Sequence, residues 1–197
     1  MKVDYLYIPT FKDIYGFKPK EKVFLDKSSK KLCGRFRKGH FEGVLNVMDR
    51  LLALIRSKHI FMGEKDFQQL ALIRHMVDDL AMPIQIVGVP TVREESGLAM
   101  SSRNGLLTAE ERIVAPLLAD VMQTIADQVS VDEQANKALV TQATAQLNAA
   151  GFKTDAIDIV DADTLASLTT NSQQAVVLMA AFLGKARLID NKVIKLR

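Results

Sequence analysis

Lys65 stands in the octapeptide Gly63-Glu64-Lys65-Asp66-Phe67-Gln68-Gln69-Leu70, directly behind the apolar run "HIFM". A strand that turns into a helix needs a cap, and Asp66 with Gln69 three residues on would form a capping box. Capping leaves Gly63 and Lys65 unexplained. A cation at a helix N-terminus opposes the helix dipole unless an anion shares the site. The free N–H groups of the first turn and a lysine ammonium would together hold a phosphate.

A second cluster, Met100-Ser101-Ser102-Arg103-Asn104-Gly105, offers two hydroxyl donors and a guanidinium on a loop. Such a loop can wrap a polyphosphate, or it can be a solvated linker. A third, "GRFRKGHFEG" at 34–43, has Arg35 and Arg37 before a glycine turn and His40. Arg37 would suit a carboxylate, and a basic loop with a helix-capping histidine explains the same residues. His40, His59 and His75 have no metal-ligand spacing with one another or with an acid cluster, so no metal site is expected.

The elements that must position these groups read differently in the two halves of the chain. Val3–Ile8 and Lys22–Leu25 are expected strands. Phe41–Arg56 carries apolar residues at 41, 44, 45, 48, 51, 52 and 55, a helical stripe. "IFM" at 60–62 reads as a short buried strand, Asp66–Leu80 as a helix, and "PIQIVGVP" at 83–90 as a strand closed by Pro90. Strand and helix in alternation predict a parallel sheet with covering helices, whose ligands bind beyond the carboxyl ends of the strands. Both polar clusters follow such ends, so together they point to an electropositive nucleotide pocket.

Thr91–Leu107 is the expected boundary. Thr108 to Glu111 is a capping box, Pro116 breaks the helix that follows, Asp132 caps another, and Gly151 ends it. "DAIDIVDADTL" and "QAVVLMAAFLGKARLIDNKVIKL" read as strands, with Asp190-Asn191 as their hairpin turn. The predicted fold is α/β: a partial doubly wound, Rossmann-like sheet of the class I nucleotidyltransferase type, followed by a small α+β domain. The expected layout is 1–90 nucleotide-binding domain, 91–107 phosphate loop and linker, and 108–197 C-terminal domain.

The 197 residues are 48% hydrophobic and 25% charged, which excludes a disordered chain. No apolar run approaches the roughly 20 residues of a membrane helix. The start "MKVDYLYIPT" does not read as a secretory signal. Cys33 is the only cysteine, which fits a reducing cytoplasm. The net charge of +3 conceals an uneven distribution, because residues 18–38 hold nine Lys or Arg and two acids. That segment lacks the aromatic interleaving of a single-strand nucleic-acid binder, and no nucleic-acid partner is expected.

"GHFEGVLNVMDRLLALI", "GEKDFQQLALIR" and "VGVPTVREESGLAMSSRNGLL", with "DIVDADTL" and "FLGKARLIDN", closely resemble the pantothenate synthetases. These are the pantoate–β-alanine ligases of coenzyme A biosynthesis. The resemblance implies an ATP-dependent ligase working through a pantoyl adenylate, with release of pyrophosphate and AMP. By similarity, Gly63, Glu64, Lys65 and Asp66 form an ATP-binding turn, with Lys65 on the phosphates and Asp66 on the ribose. Val92 would meet the adenine through its backbone. Met100, Ser101, Ser102 and Arg103 resemble the family's phosphate-binding segment. Gln69 corresponds to the amide that orients pantoate, with Arg37 as its partner. Mg2+ would arrive with ATP.

The family's His-x-Gly-His signature is absent, so the sequence begins inside the family pattern, and Lys38 stands where the family commonly has proline. The expected assembly is a homodimer or a pairing with a chain that supplies the N-terminal half. The alternative reading is an inactive or split-enzyme fragment that only binds a nucleotide or a partner.

Overall fold

The computed structural model describes residues 2–16, 30 and 32–196. The chain divides into two compact units, Met1–Ile60 with Leu72–Val87, and Phe61–Ala71 with Gly88–Arg197.

In the first unit, a short helix α1 (Phe11–Tyr15) is fixed by a Thr10–Asp13 capping box. The preceding residues, expected as a strand, are irregular and exposed, with Tyr5 at 94%. A strand exists only where its backbone groups find a ladder, and among the described residues none is offered to them. The expected strand at 22–25 lies outside the described residues.

Helix α2 (His40–Ile55) matches the apolar stripe and buries Phe41, Leu45 and Leu52. Gly39 is its N-cap at φ 76°, a left-handed position that favours glycine. From helix α3 (Phe67–Asp79), this unit holds the buried residues Leu72, Ile73, Met76 and Val77.

Strands β1 (His59–Gly63) and β2 (Gln85–Val89) pair as a two-stranded parallel sheet. The expectation of a buried β1 is corrected. Alternate residues of the strand are exposed, and Phe61 is 69% accessible. Period-2 alternation turns that side chain to an uncovered face.

The second unit carries an antiparallel meander of β3 (Lys153–Asp161), β4 (Gln174–Leu183) and β5 (Ala186–Lys195), in the order β3-β4-β5. β4 is central and buried from Ala175 to Ala181, which accounts for its unbroken apolar sequence. Helices α4 (Ala109–Val114), α5 (Leu117–Ala126) and α6 (Glu133–Ala149) precede the sheet. Leu118, Val121, Met122 and Ile125 from α5 and Leu147 from α6 share one core with Val177, Met179, Ala181 and Leu188.

The expected helix signals hold in this unit. The Thr108–Glu111 capping box forms, Pro116 separates α4 from α5, Asp132 accepts from the Gln134 and Ala135 N–H groups, and Gly151 is left-handed at φ 92°.

The expected Asp190-Asn191 turn is corrected. The hairpin closes at Gly184-Lys185, with Gly184 at φ 53° and Leu183 opposite Ala186. A Cβ at Gly184 would also meet the Glu111 carboxylate, which would have to shift to admit it. Asp190 and Asn191 are buried in the middle of β5, opposite Met179 and Leu178. Two polar residues survive there because distant groups satisfy them, as described next.

Candidate active site

The chain leaves β1 through a tight 3-10 turn, Glu64–Asp66, that runs straight into α3. The N-cap is Gly63, which offers no side-chain cap. Asp66 therefore lies inside the helical element, and the Asp66–Gln69 capping box is corrected. Nothing structural demands glycine at 63, because its φ is −65° and a Cβ would meet nothing within 4 Å. Open space at Gly63, at the head of a helical element whose N-cap offers no side-chain acceptor, suits an approaching anion.

Lys65 is half-buried in this turn. Burial lowers its ammonium below the ordinary lysine value, Asp66 and Asp190 pull it back up, and Arg103 pushes it down again. Arg103 thus acts on Lys65 from a segment 38 residues further along the chain. Among the described residues neither cation has an ion pair. Lys65 thus shares its field with two carboxylates and with a second cation, Arg103.

The loop bearing Arg103 is held in a definite shape. Arg93 and Ala99 form an isolated antiparallel bridge, Met100 N–H donates to Val92 O at 2.9 Å, and Gly97 turns the chain at φ 86°. Val92 and Met100, both expected at the site, are therefore rung neighbours on its two legs, and both are exposed. Ser101 Oγ accepts from Arg103 N–H at 3.2 Å and caps a 3-10 turn over Ser102–Leu106. Ser102 and Arg103 are exposed.

Asn104 underneath is 2% exposed and donates to Glu94 Oε1 at 2.8 Å and Ala99 O at 3.1 Å. Arg112 closes the network through Glu94 Oε2 and Asn104 O. Beside the buried Leu98 and Ala99, this polar network positions the loop, with Asn104 Oδ1 left without a hydrogen-bond partner among the described residues.

Sequence reasoning missed the residues that anchor both segments. Arg93 grips Asp190 with two hydrogen bonds, at 2.7 and 2.9 Å, and also donates to Gly97 O. Donating to the Asp190 carboxylate raises the Arg93 pKa above its ordinary value. Asn191 Nδ2 donates to Glu64 O and to Lys65 O, each at 2.8 Å. The available signal was the unusual "RLIDNKVI": a charged and an amide residue inside a run that otherwise alternates like a strand. A cleft of 420 Å³ beside them is lined by Glu64, Thr91, Arg93, Asp120 and Asn191, among others.

Gln69 lies in the first turns of α3, half-buried. Arg37 belongs to the first unit, exposed just ahead of α2, where its carbonyl accepts from His40 N–H at 3.0 Å. Among the described residues no group of three or more His, Cys, Asp or Glu could hold a metal ion, and no helix is long and apolar enough to cross a membrane.

The profile of the Pantoate-beta-alanine ligase family matches residues 1–193. The chain belongs to that family. It is 53% identical over 196 residues to the pantothenate synthetase of Aeromonas hydrophila, covering 98% of this chain and 69% of the relative.

A crystal structure of the Thermus thermophilus pantothenate synthetase superposes with a TM-score of 0.82 at 37% identity, over 96% of this chain and 69% of that one. The Francisella tularensis pantoate-beta-alanine ligase, solved with beta-gamma ATP and beta-alanine, gives 0.67 at 30% identity, over 92% and 61%. The α/β architecture, with one parallel and one antiparallel sheet, matches that of these enzymes.

Proposed function

We propose that this chain carries out the two half-reactions of an AMP-forming ligase, with Lys65 and Arg103 as its phosphate clamp. An oxygen of the pantoate carboxylate attacks the α-phosphorus of ATP, a P–O–P bond breaks, and pyrophosphate leaves with its electron pair. The amine of β-alanine then attacks the acyl carbon of pantoyl adenylate, AMP departs, and the amine loses a proton. Negative charge grows on the phosphoryl oxygens and on the departing pyrophosphate in the first step. Fixed cations and N–H donors stabilise that charge without reorganising.

What supports this reading is the family match over residues 1–193, together with hydrogen bonds from the Lys65 turn and from the root of the Arg103 loop to the same Asp190-Asn191 pair of β5. Ser101 and Ser102 would add neutral donors to the phosphates, with Met100 beside them in the same 91–107 phosphate loop. Gly63, Glu64 and Asp66 would shape the turn around ribose and phosphate, and Val92 would meet the adenine. Gln69 would orient pantoate; Arg37 is proposed for the same ligand on the family resemblance alone.

Mg2+ enters as the counter-ion of ATP. The 1–90 segment is proposed as the nucleotide-binding domain and 108–197 as the C-terminal one. The cytoplasm is the proposed compartment. The proposed assembly is a homodimer or a pairing with a chain that supplies the rest of the family pattern. Family membership favours the ligase over a module that only binds.

The test is pantoate-dependent exchange of labelled pyrophosphate into ATP. The chain is expected to catalyse it, and Lys65→Ala to abolish it. ATP binding without exchange would support the binding module instead, and normal exchange by Lys65→Ala would refute the clamp.

A further inference from the structure

Neighbouring residues of a strand point to opposite faces, so a polar pair in mid-strand serves two different surroundings. Asp190 is 4% and Asn191 8% exposed, and burying a carboxylate and an amide is costly unless each is satisfied. Both are satisfied, by the two segments that carry the clamp. The Asp190 carboxylate holds Arg93, at the root of the loop bearing Arg103. The Asn191 amide spends both N–H donors on the carbonyls of Glu64 and Lys65. Asp190 Oδ1 also accepts from Asn191 N–H at 2.8 Å, which locks the pair itself.

We infer that Asp190 and Asn191 are positioning residues for adenylate formation, a two-residue brace on β5 that sets the spacing between the Lys65 turn and the Arg103 loop. Neither side chain needs to touch substrate. The brace hands the rigidity of the β4–β5 hairpin to two loops that a triphosphate must bridge. A displacement of an ångström at a preorganised charge is enough to weaken its hold on the transition state. This inference rests on the clamp reading proposed above.

The test separates positioning from plain structural support by a double-mutant cycle on ATP affinity, measured by calorimetry on the whole chain. Asn191→Ala is expected to weaken ATP binding about tenfold when Lys65 is present, and less than about twofold in the Lys65→Ala background. Adenosine affinity should stay within about twofold throughout, because the brace acts on the phosphate end. If Asn191→Ala does not fold, Asn191→Ser, which keeps one donor, takes its place.

An equal loss in both backgrounds would make Asn191 a structural residue and overturn the inference alone, as would an undiminished affinity in Asn191→Ala. If Lys65→Ala itself bound ATP normally, the clamp reading and the brace would fall together.

Discussion

The Arg93–Asp190 pair predicts an asymmetry that follows from burial alone. The Asp190 side chain is 2% exposed and that of Arg93 32%. Removing the arginine strands a carboxylate inside the protein with one remaining hydrogen-bond donor among the described residues, the Asn191 N–H, and the field of the half-buried Lys65 ammonium. Breaking a buried pair in this direction costs about 3–5 kcal/mol, and the retained donor favours the lower end. Removing the carboxylate instead leaves a guanidinium that reaches water and still donates to Gly97 O. Its loss is that of charge-assisted hydrogen bonds with rehydration in return, about 1–2 kcal/mol.

Arg93→Ala should therefore destabilise the chain more than Asp190→Ala, and the double variant should resemble Asp190→Ala. Urea unfolding with linear extrapolation measures all three. An Asp190→Ala cost equal to or above that of Arg93→Ala would refute the reasoning, because it would mean that the stranded carboxylate finds solvent after all.

Two further outcomes are expected. Gln69→Ala should raise the KM for pantoate about tenfold while leaving that for ATP within about twofold, since one amide contact to a substrate is worth about that much; an unchanged pantoate KM would return Gln69 to a structural role. The second concerns Asp161, which ends β3 and accepts from the N–H groups of Asp163 and Thr164 and from the Thr164 hydroxyl. Burial acts to raise its pKa, but hydrogen bonds from Ser172, Thr164 and Asp163 outweigh it, and the net shift is downward from 3.8. A depressed carboxyl contributes stability above its unfolded value and loses it as pH falls through the folded one. Asp161→Asn should thus be less stable than the parent by about 1 kcal/mol at neutral pH, with the gap closing below the ordinary carboxylate range. A gap independent of pH would contradict it.

What the sequence revealed was local, and what it hid depended on partners far away in the chain. The α2 stripe, the Thr108 capping box, the Pro116 break and the Asp132 cap each rest on residues within a few positions of one another, and each was legible. Asp190-Asn191 carries the composition of a turn. Its backbone pairs with Met179 and Leu178 of β4, and its side chains are satisfied by partners 97 and 126 residues away. Asn104 has the composition of a loop former for the same reason, although it is the buried hub of the loop. Val3–Ile8 has strand composition and no described ladder to join. At the candidate site, the types and spacing of Lys65, Ser101, Ser102 and Arg103 were visible, while Arg93, Glu94, Asp190 and Asn191, which hold them, were not.

The ratio of ATP to adenosine affinity is the most direct test of whether one triphosphate bridges Lys65 and Arg103. Calorimetric titration of the chain should give strong preference for ATP, and Lys65→Ala or Arg103→Ala should each remove most of it while leaving adenosine binding intact. A preference that survives either substitution unchanged would contradict the clamp.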